Sequence, residues 1–108
     1  MMDDREMRRL KAITQDLAEF DDSLTRNGKT EHLIESRTGD DGAFEIYANA
    51  EGLVHMARQI MQLAQARIDG KHLHFDAAGM LEKSDHPFLV SYKSAEWDKR
   101  GGTDSTAR

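Results

Sequence analysis

A chain of 108 residues with a net charge of −5 has room for one core, and 32% charged residues leaves part of it committed to water. The acidic balance argues against a nucleic-acid binder, which needs a clustered basic stripe to displace counterions, and suits a basic protein partner instead. The absence of cysteine excludes disulfides and thiolate chemistry, which fits a reducing cytoplasm. The opening Met1-Met2-Asp3-Asp4-Arg5-Glu6 lacks the basic start and apolar run of a signal peptide, and no span approaches the roughly 20 apolar residues of a membrane helix. A cytoplasmic protein with no membrane partner is the expectation.

From about Asp3 to Leu24 the sequence reads as a helix, with Asp3 and Asp4 at its positive end and no Gly or Pro inside. Leu10, Ile13, Leu17, Phe20 and Leu24 follow a 3-4-3-4 spacing, a narrow seam that docks on one other helix. That seam is expected to pack on the domain's own helix, with dimerisation between two copies as the competing reading; two heptads are short for a coiled coil. After a turn at Arg26-Asn27-Gly28-Lys29, His32 to Thr38 reads as a half-buried strand, and Gly39-Asp40-Asp41-Gly42 as a hairpin connection. Phe44-Glu45-Ile46-Tyr47 alternates as the next strand, with Phe44 and Ile46 toward the core and Glu45 and Tyr47 on the other side.

A second helix is expected from Asn49 or Ala50 to about Arg67, capped by Asn49. Leu53, Met56, Ala57, Ile60, Met61, Leu63 and Ala64 form its apolar stripe, and His55, Arg58, Gln59, Gln62 and Gln65 its wet side. Met residues in that stripe serve packing, because the flexible thioether fills irregular gaps. Asp69-Gly70 turns the chain into Lys71-His72-Leu73-His74-Phe75-Asp76, a strand whose alternation sends Leu73 and Phe75 one way and His72, His74 and Asp76 the other. Past a turn at Ser84-Asp85-His86-Pro87, Phe88 to Lys93 forms a last strand, with Phe88, Val90 and Tyr92 on one face and Leu89, Ser91 and Lys93 on the other. From Asp98 the chain is too polar to bury anything, which predicts a disordered tail with Trp97 pinning its start.

Assembled, the order helix-strand-strand-helix-strand-strand predicts an α+β domain: a four-stranded sheet with helices packed on one face. Residues 1–26 form the N-terminal helix, 27–97 the core domain and 98–108 the tail. The chemistry resides on the polar side of the sheet. His72 and His74 at i and i+2 on one strand face, with Asp76 two further on, have a spacing that permits metal ligation, and Glu45 is the best additional cross-strand donor. Exposed polar residues on a sheet face are the commoner explanation of such a row. Hydrolysis would need a nucleophile beside His72 or His74, where only Ser84 or Ser91 can be offered, and no nucleophile elbow or phosphate-binding glycine loop is present.

Ile46-Tyr47-Ala48-Asn49, then Glu51-Gly52-Leu53 opening a helix, Gln62-Leu63-Ala64 near its end, and Gly70 to Asp76 followed by Leu81-Glu82 resemble the immunity protein 32 family of bacterial polymorphic toxin systems. The resemblance covers roughly Phe44 to Lys93, and the positions matching its pattern are Tyr47, Asn49, Gly52, His72, His74, Asp76 and Glu82. The Asp3 to Leu24 helix is not part of that pattern. The resemblance implies an α+β fold and a noncatalytic cytoplasmic protein without cofactor that binds and neutralises a cognate toxin. The expected contact surface is Glu45, Tyr47, His72, His74, Asp76, Ser91 and Lys93, occluding the toxin's active site. The alternative is a metal-binding module or metal-dependent small-molecule enzyme using His72, His74 and Asp76. A third reading is a homodimer through Leu10, Ile13, Leu17, Phe20 and Leu24.

Overall fold

The computed structural model describes residues 2–26, 31–76, 81 and 83–93. Its first element, α1 (Asp4–Thr25), starts with a reciprocal cap. The Asp3 carboxylate accepts from the Glu6 N–H at 2.8 Å and the Glu6 carboxylate accepts from the Asp3 N–H at 2.9 Å, which satisfies two otherwise orphaned donors. β1 (Ile34–Thr38) and β2 (Phe44–Ala48) pair antiparallel across the expected connection. Gly42 at φ 81° lies in the region that favours glycine, and the Asp41 carboxylate accepts from the Ala43 N–H at 2.9 Å.

The second helix, α2 (Ala50–Ala66), begins at Asn49 as expected and ends in left-handed Arg67. Asn49 does more than cap. Its Oδ1 accepts from the Gly52 N–H at 2.7 Å and from the Leu33 N–H at 3.1 Å, while its Nδ2 donates to the Glu31 carbonyl at 2.9 Å. The helix start is thereby stapled to the chain entering β1. Gly52 lets the two approach: a Cβ there would lie 2.4 Å from the Leu33 carbonyl oxygen and 2.9 Å from Ile34 Cγ1.

β3 (His72–Phe75) pairs antiparallel with the last strand, β5 (Phe88–Ser91), and a two-residue β4 (Lys83–Ser84) pairs parallel with β1. The α+β class holds, but the single four-stranded sheet does not. The strands divide into β2-β1-β4 and β3-β5, with no ladder joining the two sheets among the described residues. β4, whose Ser84 the sequence assigns to a turn, takes the place beside β1 where β3 or β5 would have continued the sheet. Ser36, fully buried on β1, holds this junction: its hydroxyl accepts from the His86 N–H at 3.2 Å and lies 3.0 Å from both the His86 carbonyl and Ser84 Oγ.

Ile34 from β1, Phe75 from β3 and Leu81 form the core, with Ala48, Met56, Leu73, Phe88 and Val90 packed around them. An aromatic row crosses between the sheets: Phe75 stacks on Phe88 at 4.6 Å, and Phe44 meets Phe88 edge-on at 5.1 Å. Phe44 and Ile46 share the face of buried Ile34 and Ser36, as their register requires, yet remain 48% and 41% exposed. The expectation that they are core residues fails because β2 is the edge of its sheet and, among the described residues, has no strand beyond it.

α1 packs against α2, as one reading of its seam predicted, but the seam divides. Leu10, Leu17 and Leu24 are half-buried, whereas Ile13 and Phe20 are exposed and the buried positions are Thr14 and Asp21. The α2 stripe is also rotated. Leu63 is buried and Met56 half-buried, but Leu53, Ala57 and Ile60 face solvent, while His55 and Arg58, expected to be wet, are half-buried against α1. Glu82, Trp97, the tail from Asp98 and the Asn27-Gly28-Lys29 part of the first turn lie outside the described residues.

Candidate binding face

On the first sheet, register places Glu35 opposite Tyr47 and Arg37 opposite Glu45, so all four share the outer face. The Arg37 guanidinium donates to the Glu35 carboxylate at 2.6 Å and lies 4.1 Å over the Tyr47 ring, and the Tyr47 hydroxyl donates to Glu45 at 3.1 Å. Tyr47 is 44% exposed and is held at its ring by Arg37 and at its hydroxyl by Glu45, so little side-chain entropy remains to be lost when a partner covers it. Beside it Leu33, Glu35, Tyr47, Ala48 and Asn49 line a recess of about 470 Å³. An amphipathic ring at the wall of a mixed apolar and acidic recess can receive one side chain of a binding protein.

On the second sheet the alternation is as expected: Phe75 is buried and Leu73 half-buried, with His72 and His74 exposed on the outer face. Ser91 lies opposite His72, and exposed Leu89 opposite His74. His72 Nδ1 donates to the Gly70 carbonyl at 3.1 Å, which leaves its Nε2 to accept from His74 Nε2–H at 3.0 Å. The two imidazoles therefore satisfy each other, ring edge to ring face, at 4.7 Å between centroids. Lys93 is exposed just beyond β5, and Asp76 is half-buried just beyond β3.

The seven residues expected to form one face thus fall on two sheets: Glu45 and Tyr47 on the first, His72, His74 and Ser91 on the second, with Asp76 and Lys93 at the ends of the second. His72, His74 and Asp76 do not converge as metal donors. Among the described residues, the three donor groups that come within 4.8 Å of one another are Asp21, His32 and His55.

That second cluster lies between α1, the entry to β1, and α2. Asp21, 1% exposed, receives His55 Nδ1–H at 2.8 Å and Arg58 Nη1–H at 3.1 Å on Oδ2, and Arg58 Nη1 also reaches Asp22 at 2.7 Å. Burial alone would raise the Asp21 carboxyl, but the hydrogen bonds from His55 and Arg58 and the nearby imidazoles hold it below its ordinary value. The Asp22 and Asp21 carboxylates in turn hold the Arg58 guanidinium above its usual value. His32 stacks on His55 at 4.2 Å between centroids, 14° from parallel, with Nε2 3.0 Å from Asp21 Oδ1. That approach is too poorly aligned for a hydrogen bond, and both atoms, with Arg58 Nε, are buried without a partner among the described residues.

Sequence reasoning missed this cluster because His55 and Arg58 sit on what reads as a solvated helix face. A signal was present. Asp21 falls between Leu17 and Leu24 on the apolar seam, and His55 and Arg58 are spaced i, i+3 on one face of α2.

Comparison with known proteins matches the fold's central part alone: no curated protein and no solved structure matches the chain. The match lies on residues 43–93, from the start of β2 to just past β5, and contains all seven candidate face residues but neither α1 nor His32. Over residues 43–93 the chain matches the family model of immunity protein 32, the family its motifs resemble.

Proposed function

We propose that this chain is an immunity protein that binds a cognate bacterial toxin in the cytoplasm and neutralises it by covering the toxin's active site, without catalysis of its own. One observation supports the reading: the family match spans residues 43–93, and that segment contributes Glu45 and Tyr47 to one outer sheet face and His72, His74 and Ser91 to the other, with Asp76 and Lys93 just beyond the strand ends. Tyr47 is the proposed anchor, because it is pre-ordered by Arg37 and Glu45 at the wall of a recess. The His72–His74 pair and Lys93 would form a polar rim on the second sheet, where charge sets orientation and encounter rate more than affinity.

The experiment is a pull-down with the toxin encoded beside this gene, paired with growth protection on toxin expression. His74→Glu and Asp76→Lys are expected to weaken capture and protection, and Tyr47→Ala to weaken them more. Full protection by all three variants would reject these faces as the docking surface.

A further inference from the structure

The Asp21, His32 and His55 cluster has the donor set of a metal centre: one carboxylate and two imidazoles from three separate elements, with ligand atoms within 4.8 Å of one another. We propose that it binds one divalent transition-metal ion of the zinc type, through Asp21 Oδ1, His32 Nε2 and His55 Nδ1, with a fourth position left to water.

Three observations converge on those atoms. Asp21 Oδ1 and His32 Nε2 are buried, 3.0 Å apart and without a hydrogen-bond partner, an arrangement that costs free energy unless something placed between them satisfies both. His32 and His55 bring two imidazole nitrogens to a single carboxylate, one on each oxygen, and a shared ion requires their stacked rings, now 14° from parallel, to tilt until both planes meet at it. Bond lengths of about 2.0–2.2 Å put the ligand atoms of a tetrahedral zinc ion about 3.3 Å apart, so the 3.0 Å between Asp21 Oδ1 and His32 Nε2 needs to open by only a few tenths of an ångström, while His55 Nδ1, which sits 2.8 Å from Oδ2, has to turn from that oxygen toward the ion.

Arg58 supports the site from outside. It holds Asp21 Oδ2, the oxygen the ion would not use, as carboxylate ligands are commonly held by a hydrogen-bonding neighbour, and Asp22 balances its charge. The ion would tie the C-terminal part of α1 and the entry to β1 onto α2. Asp21 and His32 lie outside the family match and none of the three ligands is on the proposed toxin-binding faces, so the clip does not rest on that reading.

The test uses the full chain without a histidine tag, stripped with chelator and titrated with Zn(II) by calorimetry. One equivalent should bind, the thermal midpoint should rise reversibly, and the ring resonances of His32 and His55 should shift while those of His72 and His74 stay in place. His32→Gln and His55→Gln should each lower affinity by about 100-fold or more, beyond the factor expected for losing an outer neighbour, whereas the His72→Gln/His74→Gln double variant should bind as the parent does. The resonance measurement needs no variant, so a folding defect in either substitution leaves it decisive. No stoichiometric binding, shifts confined to His72 and His74, or full affinity in His32→Gln would overturn the proposal.

Discussion

Where β3 meets β5, rings go inward and imidazoles outward; where α1 meets α2, a carboxylate and two imidazoles go inward while Ile13 and Phe20 go outward. The first arrangement draws its stability from removing Phe75, Leu73, Phe88 and Val90 from water, and leaves its polar face unencumbered. The second depends on compensation, since a carboxylate as buried as Asp21 is tolerable only while His55 and Arg58 hold it. The same residue type therefore has opposite duties: histidine is surface on the strand and internal packing on the helix. Recognition fits the region that keeps its polar groups exposed, and anchoring fits the region that hides them.

Substitutions at matched depth would break this contrast if it is wrong. Phe75→Ala removes the largest fully buried ring and should cost about 4 kcal/mol in urea unfolding, since Phe88 cannot collapse into the space without losing its contact with Phe44. Asp21→Ala leaves Arg58 and two imidazoles facing an empty position and should cost about 3 kcal/mol, at the low end for a broken buried pair because those partners retain some solvent. A cost near zero would mean that α1 is not held by this cluster.

Gly52→Ala separates helix placement from either region. The added methyl meets backbone oxygen rather than a movable side-chain end, so α2 must back away from β1, at about 2 kcal/mol by the same assay. The smallest effect is expected at the surface. The His72→Gln/His74→Gln double variant should change stability by less than about 0.5 kcal/mol, because both rings are exposed and the amides can still hydrogen-bond to water.

Features encoded within a few residues were legible in the sequence. Asn49 as a cap, the Asp-Gly connection before β2, and the inward Leu73 and Phe75 against outward His72 and His74 all follow from local chemistry or a period of two. What alternation could not state is which strands share a sheet. β4, two residues long and next to a turn, has no period to read, yet it occupies the edge of β1 and divides the strands. The helix faces were misassigned for a related reason. Polarity marks a face as wet only when its charges have no partner, and the partner of His55 is 34 residues away in sequence on another helix. Of the candidate face, the outward direction of its strand residues was readable, but their division between two sheets was not.

The measurement closest to the central claim is the affinity of the purified chain for the proposed toxin partner, compared between the parent, Tyr47→Ala and Asp21→Asn at a temperature where all three are folded. Loss of an interface anchor costs at least about 2 kcal/mol, so Tyr47→Ala should weaken binding by about 30-fold while Asp21→Asn binds as the parent does. Equal affinity for Tyr47→Ala, or a loss confined to Asp21→Asn, would place recognition at the helices and contradict the account.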